Sequence, residues 1–453
     1  MKIEGLKAPR FWQTMQWSSN PVNYLENAAA QFPKLFKAKI APVGKYQVLL
    51  VHPQAIQELF TRAEFINGVN SLVRPVFGDE SLLLQVGERH QSQRKLLMPP
   101  FHGERMRAYG QLVCEITERA ISRLPQERKI STRSIMEEIS LQVIFKAVFG
   151  LDNGARGQQL KELLLYWARL FQSPLFNSLL FFSSLQQPWG PWSRFLRKRQ
   201  QIHQLLLAEI RDRRATPDPN RTDILSMLLS ARHEDGTLMS ETEILNQSLT
   251  LLLAGYETTA TGMSWTVYWS HRYRDIKAKL LEEIESLGEF PDPVEISRLP
   301  YLTAFCKESL RINPVFPITL PRTVTSAVEL MGYELEPDTM IHGCIYALHQ
   351  NEEIYPQPRQ FRPERFLERQ FAHYEFIPFG GGKRRCIGAA LAMFEMKLVI
   401  ATILKRYQIT LADKKPVKLA RQNVTLVPDG GIRIAVRGRR VSQSSPQVVA
   451  NSI

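Results

Sequence analysis

The sequence predicts a mainly α fold with a small β region. Helical apolar patterns recur along most of the chain, at residues 103–124, 134–149, 160–171, 194–213, 241–272, 301–312 and 387–407. Strand patterns are few and short, at 46–51, 328–330, 340–342 and within 417–436. The longest helical pattern opens on Ser240 with Glu243 three residues on, a reciprocal cap for the first turn.

Composition sets the outer limits. The chain has 453 residues, 44% apolar and 23% charged, an ordinary globular make-up with enough apolar material to enclose a ligand. Its net charge is +14. No helix-turn-helix, RNA-recognition signature or basic–aromatic array accompanies that charge. Nucleic acid is therefore not the expected partner; an acidic protein or an anionic surface is. Cys114, Cys306, Cys344 and Cys386 stand apart with no Cys-x-x-Cys, which argues against zinc and thioredoxin-type sites and fits a reducing compartment. Residues 1–40 hold no run of about twenty apolar residues, so no membrane anchor is expected there.

Taken in order, residues 1–22 form a Pro- and aromatic-rich arm, and 23–32 a short helix. The strand at 46–51 closes on His52-Pro53, and a helix follows at 54–60. Segment 65–84 is irregular, broken by Gly68, Pro75 and Gly78, with Leu72, Val73, Val76, Phe77, Leu82 and Leu83 as its apolar members. His90 and Arg94 are four apart and share a helix face, two donor groups suited to a carboxylate. Residues 175–192 are aromatic and Pro-broken; Leu179, Leu180, Phe181 and Phe182 mark a channel mouth or a membrane-grazing patch. In the long helix, the small pair Ala254-Gly255 lets the backbone approach a flat ligand. The acid–alcohol pair Glu257-Thr258 can open the helix locally and relay protons. A charge so near the centre also argues against a membrane span. Glu308 and Arg311, three apart, can pair, and Arg365 follows downstream. Pro314 ends that helix, leaving 313–322 extended. A turn is expected at 333–338, His349 is read as structural, and the tail from 441 is polar and loose.

The stretch richest in chemistry is Phe379-Gly380-Gly381-Gly382-Lys383-Arg384-Arg385-Cys386-Ile387-Gly388. Three glycines permit a turn that side chains would obstruct. The cysteine then meets a helix start, whose free N–H groups and dipole favour a thiolate, and three cationic residues reinforce it. A thiolate held this way is a soft metal ligand or a nucleophile. Phe-x-x-Gly-x-Arg-x-Cys-x-Gly fits in full from Phe379 to Gly388 and resembles the haem-binding signature of the cytochrome P450 family. Ala254-Gly255-Tyr256-Glu257-Thr258-Thr259 is similar to that family's oxygen-helix motif. Glu308-x-x-Arg311 and Pro363-Glu364-Arg365-Phe366 resemble two further family elements, all in family order.

The resemblance implies the cytochrome P450 fold in one domain spanning residues 1–453, binding heme b (iron protoporphyrin IX). Cys386 would be the axial ligand, with Phe379 beside the sulfur. His90, Arg94, Arg322 and Arg384 would meet the propionates, and Gly388, Ala254 and Gly255 would line the cofactor. Thr258 would steady bound dioxygen, and Glu257 would link the relay to solvent. Glu308, Arg311 and Arg365 would form a structural lock behind the cofactor. The lid residues of segment 65–84, with Val315, Phe316, Ile318 and Thr319, would form the substrate pocket. The implied activity is monooxygenation with O2 and two electrons from a ferredoxin or flavodoxin with its NAD(P)H reductase. Such a partner would dock near Lys383, Arg385, Arg89, Lys95 and Arg105. The pocket segments show no evident cationic anchor, which points to a fatty acid, an alkane or a terpene. A cytoplasmic monomer is expected. The alternatives are a peroxide-driven haem-thiolate peroxygenase and a non-catalytic haem or lipid sensor.

Overall fold

The computed structural model describes the chain apart from residues 41–45, 70–72, 100–104, 152–153, 171–172, 174–175, 177–178, 180–185, 188, 219 and 441–453. Leu72, Leu180, Phe181, Phe182 and the tail from 441 therefore lie outside the described residues, as does the side chain of Arg105.

The helix Glu241–Arg272 runs unbroken for 32 residues through the largest apolar core. Its first turn is closed as expected: the Glu243 N–H donates to Ser240 Oγ at 3.1 Å, and the Ser240 N–H to Glu243 Oε2 at 2.7 Å. From Ile244 onward most of its residues are buried, because helices cover it on several sides. Thr132–Ala147, Pro300–Ile312 and Ala389–Arg406 all pack on it. Gly262 marks where it meets Ala389–Arg406: a Cβ there would stand 3.0 Å from Met396 Sδ. Among the described residues, no helix is long and apolar enough to cross a membrane.

The β region centres on a five-stranded sheet in the order Leu35–Ala38, Gln47–Leu50, Met340–Gly343, Arg322–Val324, Phe65–Asn67. Gln47–Leu50 and Met340–Gly343 run parallel, with Val48 opposite Ile341; the other pairs are antiparallel. This sheet brings Arg322 beside Asn67 and Ile341. A hairpin, Leu419–Gln422 with Thr425–Pro428, lies against the extended segment after Pro314: the Leu426 N–H donates to the Val315 carbonyl at 2.7 Å.

Two local expectations are corrected. The turn expected at 333–338 is displaced, since Tyr333–Leu335 is a strand paired with Val328–Leu330. The chain reverses at Met331-Gly332, where both residues take positive φ (50° and 83°), the geometry of a two-residue hairpin turn. The N-terminal arm also carries a helix, Arg10–Ser19, whose Trp17 is buried against Tyr24.

Candidate active site

The cysteine loop is set by its glycines and by the helix Pro53–Thr61. Gly382 has φ +62°, and a Cβ on it would sit 2.6 Å from the Phe60 carbonyl oxygen, so only glycine fits. The Cys386 N–H donates to the Phe379 carbonyl at 2.9 Å, closing the loop just before the helix Ala389–Arg406. The Gly388 N–H points back at the Cys386 sulfur. Cys386 is exposed, onto an open recess. Surrounding protein raises its thiol pKa, and the Gly388 N–H, Arg94 and Arg385 pull the other way. A Cβ on Gly388 would meet nothing within 4 Å.

Four donor groups converge near this loop from separate elements. His90 and Arg94 come from the helix Gly87–Leu97, Arg322 from the central sheet and Arg384 from the loop itself. Burial, then the charges of Arg384, Arg94 and Arg322, push the His90 pKa down to about 4. Burial brings Arg322 down to about 10, and burial with Arg322 and Arg94 does the same to Arg384. Among the described residues, none of the four has a carboxylate at ion-pair distance. Mutually repelling, half-buried cations without an acid are costly unless an anion joins them. One sulfur, a recess and this acid-free cluster fit a flat, dianionic cofactor whose metal takes a soft ligand.

The long helix faces this recess through a row at four-residue spacing. Gly262 touches Met396 on the cysteine helix, Thr258 is half-buried one turn earlier, and Ala254 is exposed one turn before that. Thr258 Oγ1 donates to the Ala254 carbonyl at 2.7 Å. A Cβ on Gly255 would meet Ile144 Cδ1 at 2.9 Å, so its missing side chain makes room for the neighbouring helix. Glu257 points the same way, to the helix Thr132–Ala147. Its Oε1 accepts from Arg133 Nη2 at 3.1 Å, and Arg133 also binds Glu137 at 2.6 Å and Gln422. Burial raises the Glu257 pKa, Arg133 lowers it and Glu137 raises it.

Glu308 and Arg311 pair as their spacing allows, and Arg365 joins them as the family resemblance implied. Arg311 donates to both Glu308 oxygens, at 2.7 and 2.8 Å, and Arg365 Nε to Oε1 at 3.1 Å. The Arg362 backbone N–H adds a fourth donor at 2.9 Å. Arg311 Nη1 reaches the His349 carbonyl, and His349 Nε2 accepts the Ile377 N–H at 3.1 Å. The network is thus tied to the segment leading into the cysteine loop.

One wall of the recess is pinned by residues that spacing did not mark. Gln247 and Thr250 of the long helix hold segment 80–82: Ser81 and Thr250 hydroxyls lie 2.8 Å apart, and Leu82 N–H donates to Gln247 Oε1 at 3.1 Å. Gln247 Nε2 also reaches the Glu80 carbonyl and Gln93. Arg384 donates to the Leu83 and Gln85 carbonyls, joining this wall to the cysteine loop. Val73, Phe77, Leu82 and Leu83 are partly exposed along it. Val76 is a correction, being 1% exposed in the main core, as its place on a four-residue helix turned inward dictates. Thr319 is another: its hydroxyl accepts the Gly343 N–H at 2.9 Å and serves the sheet. Ile318 packs toward the core around Trp17 and Tyr24, while Val315 and Phe316 adjoin the main core.

Comparison with known proteins agrees with this geometry. The family model described as Cytochrome P450 matches residues 4–435. The chain is 34% identical over 439 residues to the provisionally named cytochrome P450 135B1 of Mycobacterium tuberculosis, covering 95% of this chain and 90% of that protein. It is 30% identical over 449 residues to the provisionally named cytochrome P450 137 of the same organism, covering 96% and 91%. Among solved structures, retinoic acid-bound cyanobacterial CYP120A1 superposes with a TM-score of 0.82 at 23% identity, covering 96% of this chain and 99% of that one. The cytochrome P450DA heme domain follows at 0.81 and 21%, covering 97% and 98%. Those structural likenesses speak to the fold, and the family match over nearly the whole chain speaks to descent. The chain belongs to the cytochrome P450 family and is a haem-thiolate monooxygenase.

Proposed function

We propose that this enzyme hydroxylates a lipophilic substrate, a fatty acid, an alkane or a terpene, in the cytoplasm. A separate ferredoxin or flavodoxin with its NAD(P)H reductase would supply the electrons. The observation that carries the site assignment is the meeting of Cys386 with the acid-free cluster His90, Arg94, Arg322 and Arg384. Cys386 would hold the iron, and the cluster would take the propionates. The haem, when bound, supplies the oxygen-activating chemistry. The protein's part is to place groups around it.

Thr258 would present its hydroxyl at the recess: its present bond is a back-bond to the Ala254 carbonyl within the turn, so the hydroxyl could rotate to hold a proton there at little cost to the helix. Glu257 stands on the opposite side, half-shielded and held by Arg133, where it can collect protons from water and pass them across the helix. Val73, Phe77, Leu82, Leu83 and Phe316, all partly exposed, supply an apolar approach, with Val315 buried behind them. A structural neighbour that binds retinoic acid, itself a lipophilic molecule, supports that class.

For the electron donor, the exposed face around the cysteine loop is less uniformly basic than spacing alone implied. Arg89 is paired with Glu80 and Lys95 with Glu234, leaving Lys383 and Arg385 as exposed cations with no ion pair among the described residues. The test is turnover of a lipophilic panel with isotopically labelled O2, a ferredoxin, its reductase and NADPH. One labelled oxygen in the product is expected. Product formed only with hydrogen peroxide would replace this reading with a peroxygenase, and no product with tight lipid binding would replace it with a sensor.

A further inference from the structure

The helix Gly190–Ala215 buries a stripe of Trp192, Phe195, Ile202, Leu206 and Ile210. Arg199 lies on that stripe, four residues after Phe195 and three before Ile202, both at most 1% exposed. His203 lies one turn further along the same side. Cations are expensive at such positions unless paired. Arg213, further down the stripe, obeys the rule: it bonds Glu209 at 2.6 Å, Asp223 at 2.8 Å and the Phe149 carbonyl at 2.7 Å. Arg199 does not, and burial with the Arg199 charge holds the neighbouring His203 neutral, its pKa down to about 4. Arg199 Nε and His203 Nε2 are both buried with no hydrogen-bond partner among the described residues. The acid within electrostatic reach of Arg199 is Asp79, whose carboxylate is exposed and already paired with Arg74 Nε at 2.7 Å.

The position of Asp79 locates this pair. It follows Gly78, which abuts the Asn246 side chain on the long helix, and it precedes the wall segment that Gln247 and Thr250 hold. Asn246 is twelve residues before Thr258, about 18 Å along the helix axis. Arg199 and His203 thus stand beside the end of the recess wall remote from Cys386. We propose that Arg199 and His203 form an anion subsite that takes the carboxylate of a lipophilic acid, so that the substrate is a long-chain carboxylic acid oxidised far from its head group. Arg199 donates from its guanidinium and His203 from Nε2, filling the two donors left open. This proposal rests on the monooxygenase reading above and narrows its substrate class, displacing the alkane and the terpene hydrocarbon.

The experiment uses the holoenzyme, with hexadecanoic acid, its methyl ester and hexadecanol as probes. Binding is read by the ferric spin-state shift and independently by calorimetry. The acid is expected to bind at least about tenfold more tightly than the ester or the alcohol, the margin of one charge-assisted contact. Arg199→Gln is expected to erase that margin without weakening the alcohol, and Arg199→Lys to keep part of it. Equal binding of acid and ester by the unaltered enzyme overturns the subsite, as does an undiminished acid preference in Arg199→Gln. Should Arg199→Gln fail to load haem, His203→Gln and the comparison within the unaltered enzyme decide the matter. A normal thiolate-type spectrum on carbon monoxide binding without acid preference sinks the subsite alone; absence of that spectrum sinks the haem-thiolate reading beneath it.

Discussion

Thr258 has one hydroxyl and two demands on it, the Ala254 carbonyl at 2.7 Å and whatever enters the recess. Replacing it with alanine leaves the helix intact, since the lost bond is a back-bond within the turn. Thr258→Ala is expected to cut product formed per NADPH by at least about tenfold, within the range for a lost proton-transfer group, with electrons escaping as hydrogen peroxide. Unchanged coupling would remove Thr258 from the mechanism. Glu395 presents a separate residue-level test. It lies buried on the cysteine helix with Oε2 lacking a partner, and burial lifts its pKa to about 8. A carboxyl raised in the folded state contributes stability that is complete below its unfolded pKa and is lost as pH rises through the folded value. Stability should therefore fall between about pH 4.5 and about pH 8, by several kcal/mol in all, and level off above that. Glu395→Gln should flatten the decline in Tm between about pH 4.5 and 8, and an unaltered Tm profile would contradict it. Residue-level chemistry was legible in the sequence where it is carried by local spacing, as in Phe379 to Gly388 and Glu257-Thr258. Arg133, which holds Glu257 from 124 positions away, was not, because no local pattern marks an arginine as the partner of a distant acid.

At the scale of elements, the cysteine loop depends on a turn and on a lock. Gly382 is wedged at positive φ against the Phe60 carbonyl. Gly382→Ala should cost roughly 1–3 kcal/mol in backbone strain, with more from the clash, and should reduce haem loading. Gly388→Ala, by contrast, meets no protein atom within 4 Å, so the fold should tolerate it. Circular dichroism melts and the haem-to-protein absorbance ratio separate the two; equal behaviour would contradict the loop geometry. Arg365→Ala leaves Glu308 with Arg311 but strips one side of a wholly buried carboxylate, and a loss of about 3–5 kcal/mol is expected. The Glu308–Arg311 pair and the long helix were readable from the sequence because Glu-x-x-Arg and the Ser240–Glu243 cap are short-range, whereas Arg365, 57 positions from Glu308, came only from the family resemblance. Gly255 was legible only in part: a small residue announces close approach but not of what, and on its Cβ side the neighbour is Ile144. The hairpin at Met331-Gly332 was missed because methionine rarely takes positive φ.

For the whole molecule, ion pairs such as Arg89 with Glu80 and Lys95 with Glu234 neutralise individual cations, but the net charge of +14 is the excess that pairing leaves over. Lys383 and Arg385 stay exposed beside the cysteine loop. Reversing both, Lys383→Glu with Arg385→Glu, should slow reduction by an acidic ferredoxin about tenfold or more at low salt, and the gap should shrink as salt rises. Stopped-flow reduction rates measure this, and a salt-independent or absent effect would move the docking face elsewhere. The mainly α architecture and the order of its helices were readable from periodicity. What surrounds the recess was not, because its walls come from segments far apart in the chain. Gln247 holding Leu82 and Ser81 meeting Thr250 are contacts that only the folded chain creates.

The measurement that bears most directly on the site is the absorbance of the reduced holoenzyme with carbon monoxide, for the unaltered enzyme and for Cys386→Ser. The expected result is a thiolate-type band in the former that disappears in the latter, while haem remains bound through His90, Arg94, Arg322 and Arg384. A thiolate-type band that survives Cys386→Ser, or none in the unaltered enzyme, would contradict the assignment of Cys386 as the ligand.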